Sequence, residues 1–112
     1  MEWLALAKVA TSATAWRAFG LNAAGRTLID ALASRDENVR VIAGMSLVKG
    51  GAGALPLLRD ALKRRSALSM VISIIGSIGD KSVVGDIEPF LNDGDVQVQK
   101  AARAVYELLR SR

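Results

Sequence analysis

The stretch Asp36-Glu37-Asn38-Val39-Arg40 decides the fold, because a matching stretch, Asp95-Val96-Gln97-Val98-Gln99, begins 59 residues later. Each stretch opens with an aspartate, which is a preferred N-cap residue of α-helices. A degenerate copy lies between the two, so the repeating unit is about 30 residues long, a period typical of helical solenoids.

Two kinds of helix alternate along this repeat. One kind carries paired large apolar residues at corresponding positions: Leu28 and Leu32, Leu58 and Leu62, Ile87 and Leu91. The other kind aligns as Val39 and Ala43, Ser69 and Ser73, Val98 and Ala102. The unit is therefore a helical hairpin, which must stack on its neighbours to bury its apolar face.

Glycine, proline and capping residues predict about seven helices in one domain, residues 1–112. The predicted helices span residues 2–19, 23–33, 37–49, 54–65, 67–78, 82–93 and 96–110. Pro56 falls in a first helical turn, where its missing N–H costs little. Ser66 is the expected cap of the fifth helix, and Pro89 is expected to kink or delay the sixth.

The composition narrows the chemistry open to this chain. It contains no cysteine and no histidine, which excludes thiol nucleophiles, thiolate metal sites and histidine bases. No phosphate-binding loop of the Walker type occurs, and the carboxylates are scattered as caps and turn residues. We therefore expect no catalytic, cofactor or metal site. No window supplies the ~20 uncharged apolar residues of a spanning helix, and we expect a cytoplasmic protein.

A family resemblance follows from the spacing Asp36-x-x-Val39-Arg40-x-x-Ala43, with Gly50 and then Ala54-Leu55-Pro56-x-Leu58-x-x-x-Leu62. This pattern resembles a HEAT repeat, and in particular the short HEAT-like units of phycobilisome lyases. The resemblance implies an all-α, right-handed solenoid of helical hairpins. It also implies that the aspartate caps a helix, that the valine packs inward and that the arginine braces adjacent units, although Gln99 replaces that arginine in the last copy.

The central signature helix is the first candidate binding site, because residues 66–79 contain no charge. The resemblance places it in the middle of the concave face. Helical amphipathicity points its serines outward, whereas the repeat alignment buries Ser69 and Ser73 and exposes Val71, Ile74 and Ile78. Both alternatives stay open at this point. The predicted partner-binding residues are Ser69, Ser73, Ser77, Val71, Ile74 and Ile78.

A basic patch is the second candidate, since the chain has a formal net charge of +4 and a pI of about 10.0. The residues expected to form it are Arg26, Arg59, Lys63, Arg64 and Arg65. They would suit nucleic acid or another anionic partner. Alternatively, the cations at 63–65 only complement the dipole at a helix carboxyl end.

The amino-terminal helix is the third candidate, because it carries more apolar residues than one buried face requires. Trp3, Leu6 and Trp16 are expected to mediate self-association as a homo-oligomer, most simply a dimer. The alternative is that both tryptophans fold back onto Leu28 and Ile29.

These features predict a non-catalytic protein–protein interaction or scaffolding module. It would bind a protein partner through the uncharged central helix. A binder of nucleic acid is the second hypothesis. The third, a lyase-type accessory subunit, rests on the family resemblance alone.

Overall fold

The computed structural model describes residues 8–9 and 22–111, and this part of the chain is helical without a strand. Lys8 and Val9 are helical. Six α-helices follow: α1 (Asn22–Ala31), α2 (Glu37–Lys49), α3 (Leu55–Lys63), α4 (Leu68–Ile78), α5 (Val84–Ile87) and α6 (Val96–Arg110). Single 3-10 turns at Gly51–Ala54 and Lys81–Val83 lead into α3 and α5, and a third, Glu88–Phe90, follows α5.

The two signature aspartates cap α2 and α6 in the same way, which confirms the prediction. Asp36 and Asp95 share backbone angles of φ −82° and ψ 118°. Each carboxylate accepts hydrogen bonds from the amides two and three residues further on, at 2.8 and 3.3 Å for Asp36 and 2.9 and 3.4 Å for Asp95. These bonds satisfy two of the N–H groups that a helix start leaves without partners.

The turns before the two caps also correspond. The amide of Asp36 donates to the hydroxyl of Ser34 at 3.1 Å, and the amide of Asp95 donates to the carboxylate of Asp93 at 3.0 Å. Arg40 donates to the carbonyl oxygen of Ser34 at 2.7 Å, so it holds the turn between α1 and α2. The two stretches, 59 residues apart, therefore match in their local hydrogen bonding as well as in sequence.

The start of α4 differs from the prediction, because Ser66 is not its cap. The amide of Ser66 donates to the carbonyl of Ala61 at 3.0 Å and so belongs to the end of α3. Arg65, at φ 54°, occupies the left-handed position that glycine usually takes after a helix. Ala67, at φ 45°, precedes α4 without a side-chain cap bond. Each left-handed residue costs about 1–2 kcal/mol.

The predicted helix over 82–93 is also wrong in its length. The segment divides into the turn Lys81–Val83, the short α5 and the turn Glu88–Phe90. Pro89 explains the interruption, because it has no N–H to continue the α-helical ladder.

The helices form three hairpins: α1 with α2, α3 with α4, and α5 with α6. The second members also contact one another in order, so that α4 lies between α2 and α6, and α1 packs on α3. The contact between α4 and α6 is the most extensive. It depends on Gly76, where a Cβ atom would lie only 2.8 Å from Cγ2 of Val105.

Candidate functional site: an apolar groove between α2 and α4

The structure decides between the two orientations of the central helix in favour of amphipathicity. Ser73 and Ser77 are exposed, and the hydroxyl of Ser73 donates to the carbonyl of Ser69 within the helix at 3.0 Å. Val71 is fully buried and Ile74 is 6% exposed, so the alternative from the repeat alignment, which exposes both, is wrong. Ser69 and Ile78 are half-buried.

The alignment failed because α4 starts later than the repeat spacing assumes. Its N-cap is Ala67, one residue beyond the expected Ser66, and one residue turns a helix by about 100°. Counted from the caps, Ile74 therefore takes the place of Ala43 in α2 and Ala102 in α6. All three side chains are buried.

An open groove of about 470 Å³ runs between α2 and α4. Residues along one face of α2 form one wall: Arg40, Val41, Gly44, Met45, Val48 and Lys49. The other wall comes from α4 and consists of Met70, Ile74 and Ser77. Both sets follow helical spacing, so each wall is a continuous helix face.

Large apolar side chains that are exposed to solvent cluster along the groove. Five such side chains are exposed in residues 8–9 and 22–111, and three of them line the groove. These are Met45 at 55%, Val41 at 49% and Met70 at 37% exposure. Clustered exposed apolar side chains mark interaction sites more often than scattered ones do, and methionine adapts its shape to different partners.

The floor of the groove is Gly44, and its rim is cationic. A Cβ atom at Gly44 would lie 3.9 Å from Leu32 and 4.0 Å from Ile74, which is ordinary contact distance. The missing side chain therefore deepens the groove without leaving a cavity beneath it. Arg40 and Lys49 supply two positive charges, and among the described residues no carboxylate belongs to the lining.

Sequence reasoning found only the α4 wall, through Ile74 and Ser77, and missed the wall that α2 supplies. The available signal was the distribution of apolar residues around α2. Val39, Ala43 and Leu47 account for its buried stripe, while Val41 and Met45 lie on another side. When a helix is apolar on more than one side, its second apolar face either contacts another element or is available for such a contact.

The predicted basic patch consists largely of paired cations. Three of its arginines form ion pairs: Arg59 with Asp86 at 2.9 Å, Arg64 with Asp60 at 2.8 Å and Arg65 with Asp93 at 3.0 Å. Lys63 is exposed near them, and Arg26 is exposed on α1. The aspartates cancel much of the positive charge that the sequence places here.

The pair of Arg65 and Asp93 joins the end of α3 to the turn before α6. Arg65 also lies over the ring of Phe90, 5.9 Å from its centroid. The amide of Asp95 lowers the pKa of the Asp93 carboxyl below its ordinary value, and Arg65 lowers it further, against the opposing effect of burial. This carboxylate is therefore held in its charged form by the fold.

The predicted self-association residues Trp3, Leu6 and Trp16 lie outside the described residues. The neighbouring Val9 is 3% exposed and shares a cavity of about 240 Å³ with residues of α1 and α2.

In the described part of the chain, no group of three or more acidic side chains is placed to hold a metal ion. No single described helix is long and apolar enough to cross a membrane; α2 and Gly51–Lys63 pass that test only as a pair, which is bent by 115°. Comparison with protein-family models, curated proteins and solved structures found no match to this chain.

Proposed function

We propose that this chain is a non-catalytic interaction module in which three helical hairpins stack as a short HEAT-like solenoid. Its groove between α2 and α4 would hold an apolar segment of a partner protein. The matching caps at Asp36 and Asp95 support the repeat, and the order in which α2, α4 and α6 contact one another supports the stacking.

The observation that carries the proposal is the exposure of Val41, Met45 and Met70 along one groove. Complete burial of such a side chain is worth about 1.5–3 kcal/mol, and these three are already half covered. Covering the remainder would therefore contribute about 2–4 kcal/mol in total. Association has its own entropic cost, so a partner must add further contacts, and a reversible interaction is expected.

Site-specific crosslinking tests this function. A photoreactive amino acid placed at Lys49 lies on the rim; it removes one rim charge but leaves the apolar groove open. One at Ala104, exposed on α6, is the control. In extract of the source cells, position 49 should give a discrete protein adduct that position 104 does not. The variant Gly44→Leu, which fills the groove, should abolish that adduct.

A third crosslinking position separates the proposal from its rival. Lys63 lies beside the paired arginines, where an anionic partner would bind. A nucleic-acid adduct at position 63 with no protein adduct at position 49 would refute the proposal. So would a protein adduct at position 49 that persists unchanged in Gly44→Leu. Circular dichroism should first show that this variant keeps its helix content.

A further inference from the structure

We infer that the occupant of the groove is an amphipathic α-helix whose apolar stripe is flanked by acidic residues. The inference rests on the proposed function of the groove as a protein-binding site, and it specifies the partner. Three features of the groove carry it: the scarcity of uncharged polar groups, the spacing along its walls, and the sign of the charge on its rim.

The scarcity of polar groups favours a helix over an extended peptide. Of the described residues that line the groove, Ser77 alone has an uncharged polar side chain. An extended segment exposes backbone N–H and C=O groups that this surface could not satisfy, and such segments usually bind by adding to a sheet edge. No strand occurs in residues 8–9 and 22–111. A helix satisfies its backbone internally and offers only side chains to the groove.

The spacing of the walls sets the length and phase of that helix. The α2 wall runs from Arg40 to Lys49, which is about 14 Å or two and a half helical turns. The α4 wall presents Met70, Ile74 and Ser77, a helical spacing of four and then three residues. A partner helix of about four turns with three apolar residues at the same spacing would cover both walls.

The positive charge on the rim favours acidic residues at the two ends of the partner's apolar stripe. Arg40 and Lys49 lie at opposite ends of the α2 wall, and the α2 residues between them include no carboxylate. Arg40 is held in place through its bond to the carbonyl of Ser34. Acidic residues at both ends of the apolar stripe would meet a positive charge at each end. Basic residues at the same places would be repelled, so the rim discriminates between otherwise identical helices.

Methionine signals provide the test, because the chain contains three methionines and two of them line the groove. The full chain is labelled at its methionine methyl groups and titrated with alanine-based helical peptides of about 15 residues. One peptide carries three leucines at the stated spacing and glutamates at both ends. A second carries lysines at the ends, and a third has a proline in the middle.

The glutamate-flanked peptide should shift the Met45 and Met70 signals saturably, with the weak and reversible binding expected of so small an interface. The lysine-flanked peptide should bind roughly two- to twentyfold more weakly, since two exposed ion pairs are lost. The proline peptide should leave both signals unchanged. Lys49→Glu should reduce the preference for glutamate flanks, whereas Lys100→Glu on α6, the same charge change away from the groove, should not.

Several outcomes would overturn this inference. Equal binding of the glutamate-flanked and lysine-flanked peptides would show that the rim charges do not select the partner. Equal binding of the proline peptide would show that the partner need not be a helix. Methyl shifts that depend on protein concentration without any peptide would mean that a second copy fills the groove. If the groove-dependent protein adduct at position 49 forms but no helical peptide binds, this inference fails while the proposed function stands; if that adduct is absent, the proposed function itself fails.

Discussion

Replacing Gly76 by alanine should destabilise the protein, although alanine is the better helix former. The new methyl group would lie 2.8 Å from Cγ2 of Val105, closer than two carbon atoms approach in folded proteins. Val105 is β-branched and buried in α6, so its side chain has no other low-energy rotamer in the helix. Relief therefore requires α4 and α6 to move apart.

The magnitude follows from two opposing effects. Overpacking a well-filled core costs about 1–3 kcal/mol. Replacement of glycine by alanine within a helix gains about 1 kcal/mol. The net loss in free energy of unfolding should be about 1 kcal/mol, or a decrease in Tm of roughly 4–6 °C. Urea denaturation followed by circular dichroism measures it.

Gly44→Ala is the matched control, because it makes the same substitution in α2 where the new methyl group meets atoms at 3.9 and 4.0 Å. It should stabilise by about 0.5–1 kcal/mol. Since the helix preference is common to both variants, their difference isolates the contact with Val105. The further change Val105→Ala should cost less in the Gly76→Ala protein than in the parent. Equal stabilisation by both glycine substitutions would refute the close approach of α4 and α6.

Three further predictions concern the cap, the charged turn and the groove. Asp95→Ala should lower the free energy of unfolding by about 1 kcal/mol, and Asp95→Asn, which keeps an acceptor, should lower it less in the same urea assay. The folded pKa of Asp93 is lowered, so its contribution to stability is complete above its ordinary pKa of about 3.9 and is lost as the pH falls through the folded value. Asp93→Asn should therefore flatten the decline in stability below pH 4, and parallel declines would contradict the prediction. Peroxide should convert Met45 and Met70 to polar sulfoxides and abolish binding of the glutamate-flanked peptide, whereas a variant with leucine at both positions should bind it before and after treatment.

The elements that sequence reasoning predicted well are those defined by local hydrogen bonds. Asp36 and Asp95 cap their helices through amides two and three residues away, so the whole motif lies within five residues of sequence. Glu37–Lys49 consequently begins and ends where it was expected. Gly79 ends α4 in the left-handed conformation that glycine adopts readily.

The register of α4 could not be read from sequence, because Arg65 and Ala67 give no sign of their left-handed conformations. Neither is the glycine or asparagine that usually marks such a position. Their placement moves the start of α4 by one residue and brings Ile74 to the position that the alignment gave to Ser73. That single residue accounts for the burial of Ile74, whereas Met70, which takes the place of the buried Val39, stays exposed beside the groove.

The groove was predicted only in part, because one of its walls depends on how the hairpins pack against each other. The lack of charge over residues 66–79 correctly drew attention to α4, whose Ile74 and Ser77 line it. Which apolar face of α2 remains uncovered depends on how closely α4 approaches it. That distance is a property of packing between hairpins, and no pattern within Glu37–Lys49 alone specifies it.

The two ways in which helices start have a consequence for the order of folding. The cap at Asp36 is made from neighbouring residues and can form before distant parts of the chain meet. The start of α4 opposes local preference at Ala67, and it follows Arg65, whose side chain pairs with Asp93, a residue distant in sequence. We therefore expect this start to form late, so that Ala67→Gly should mainly slow unfolding, whereas Asp36→Ala should mainly slow refolding. Stopped-flow measurements of both rates would record the difference.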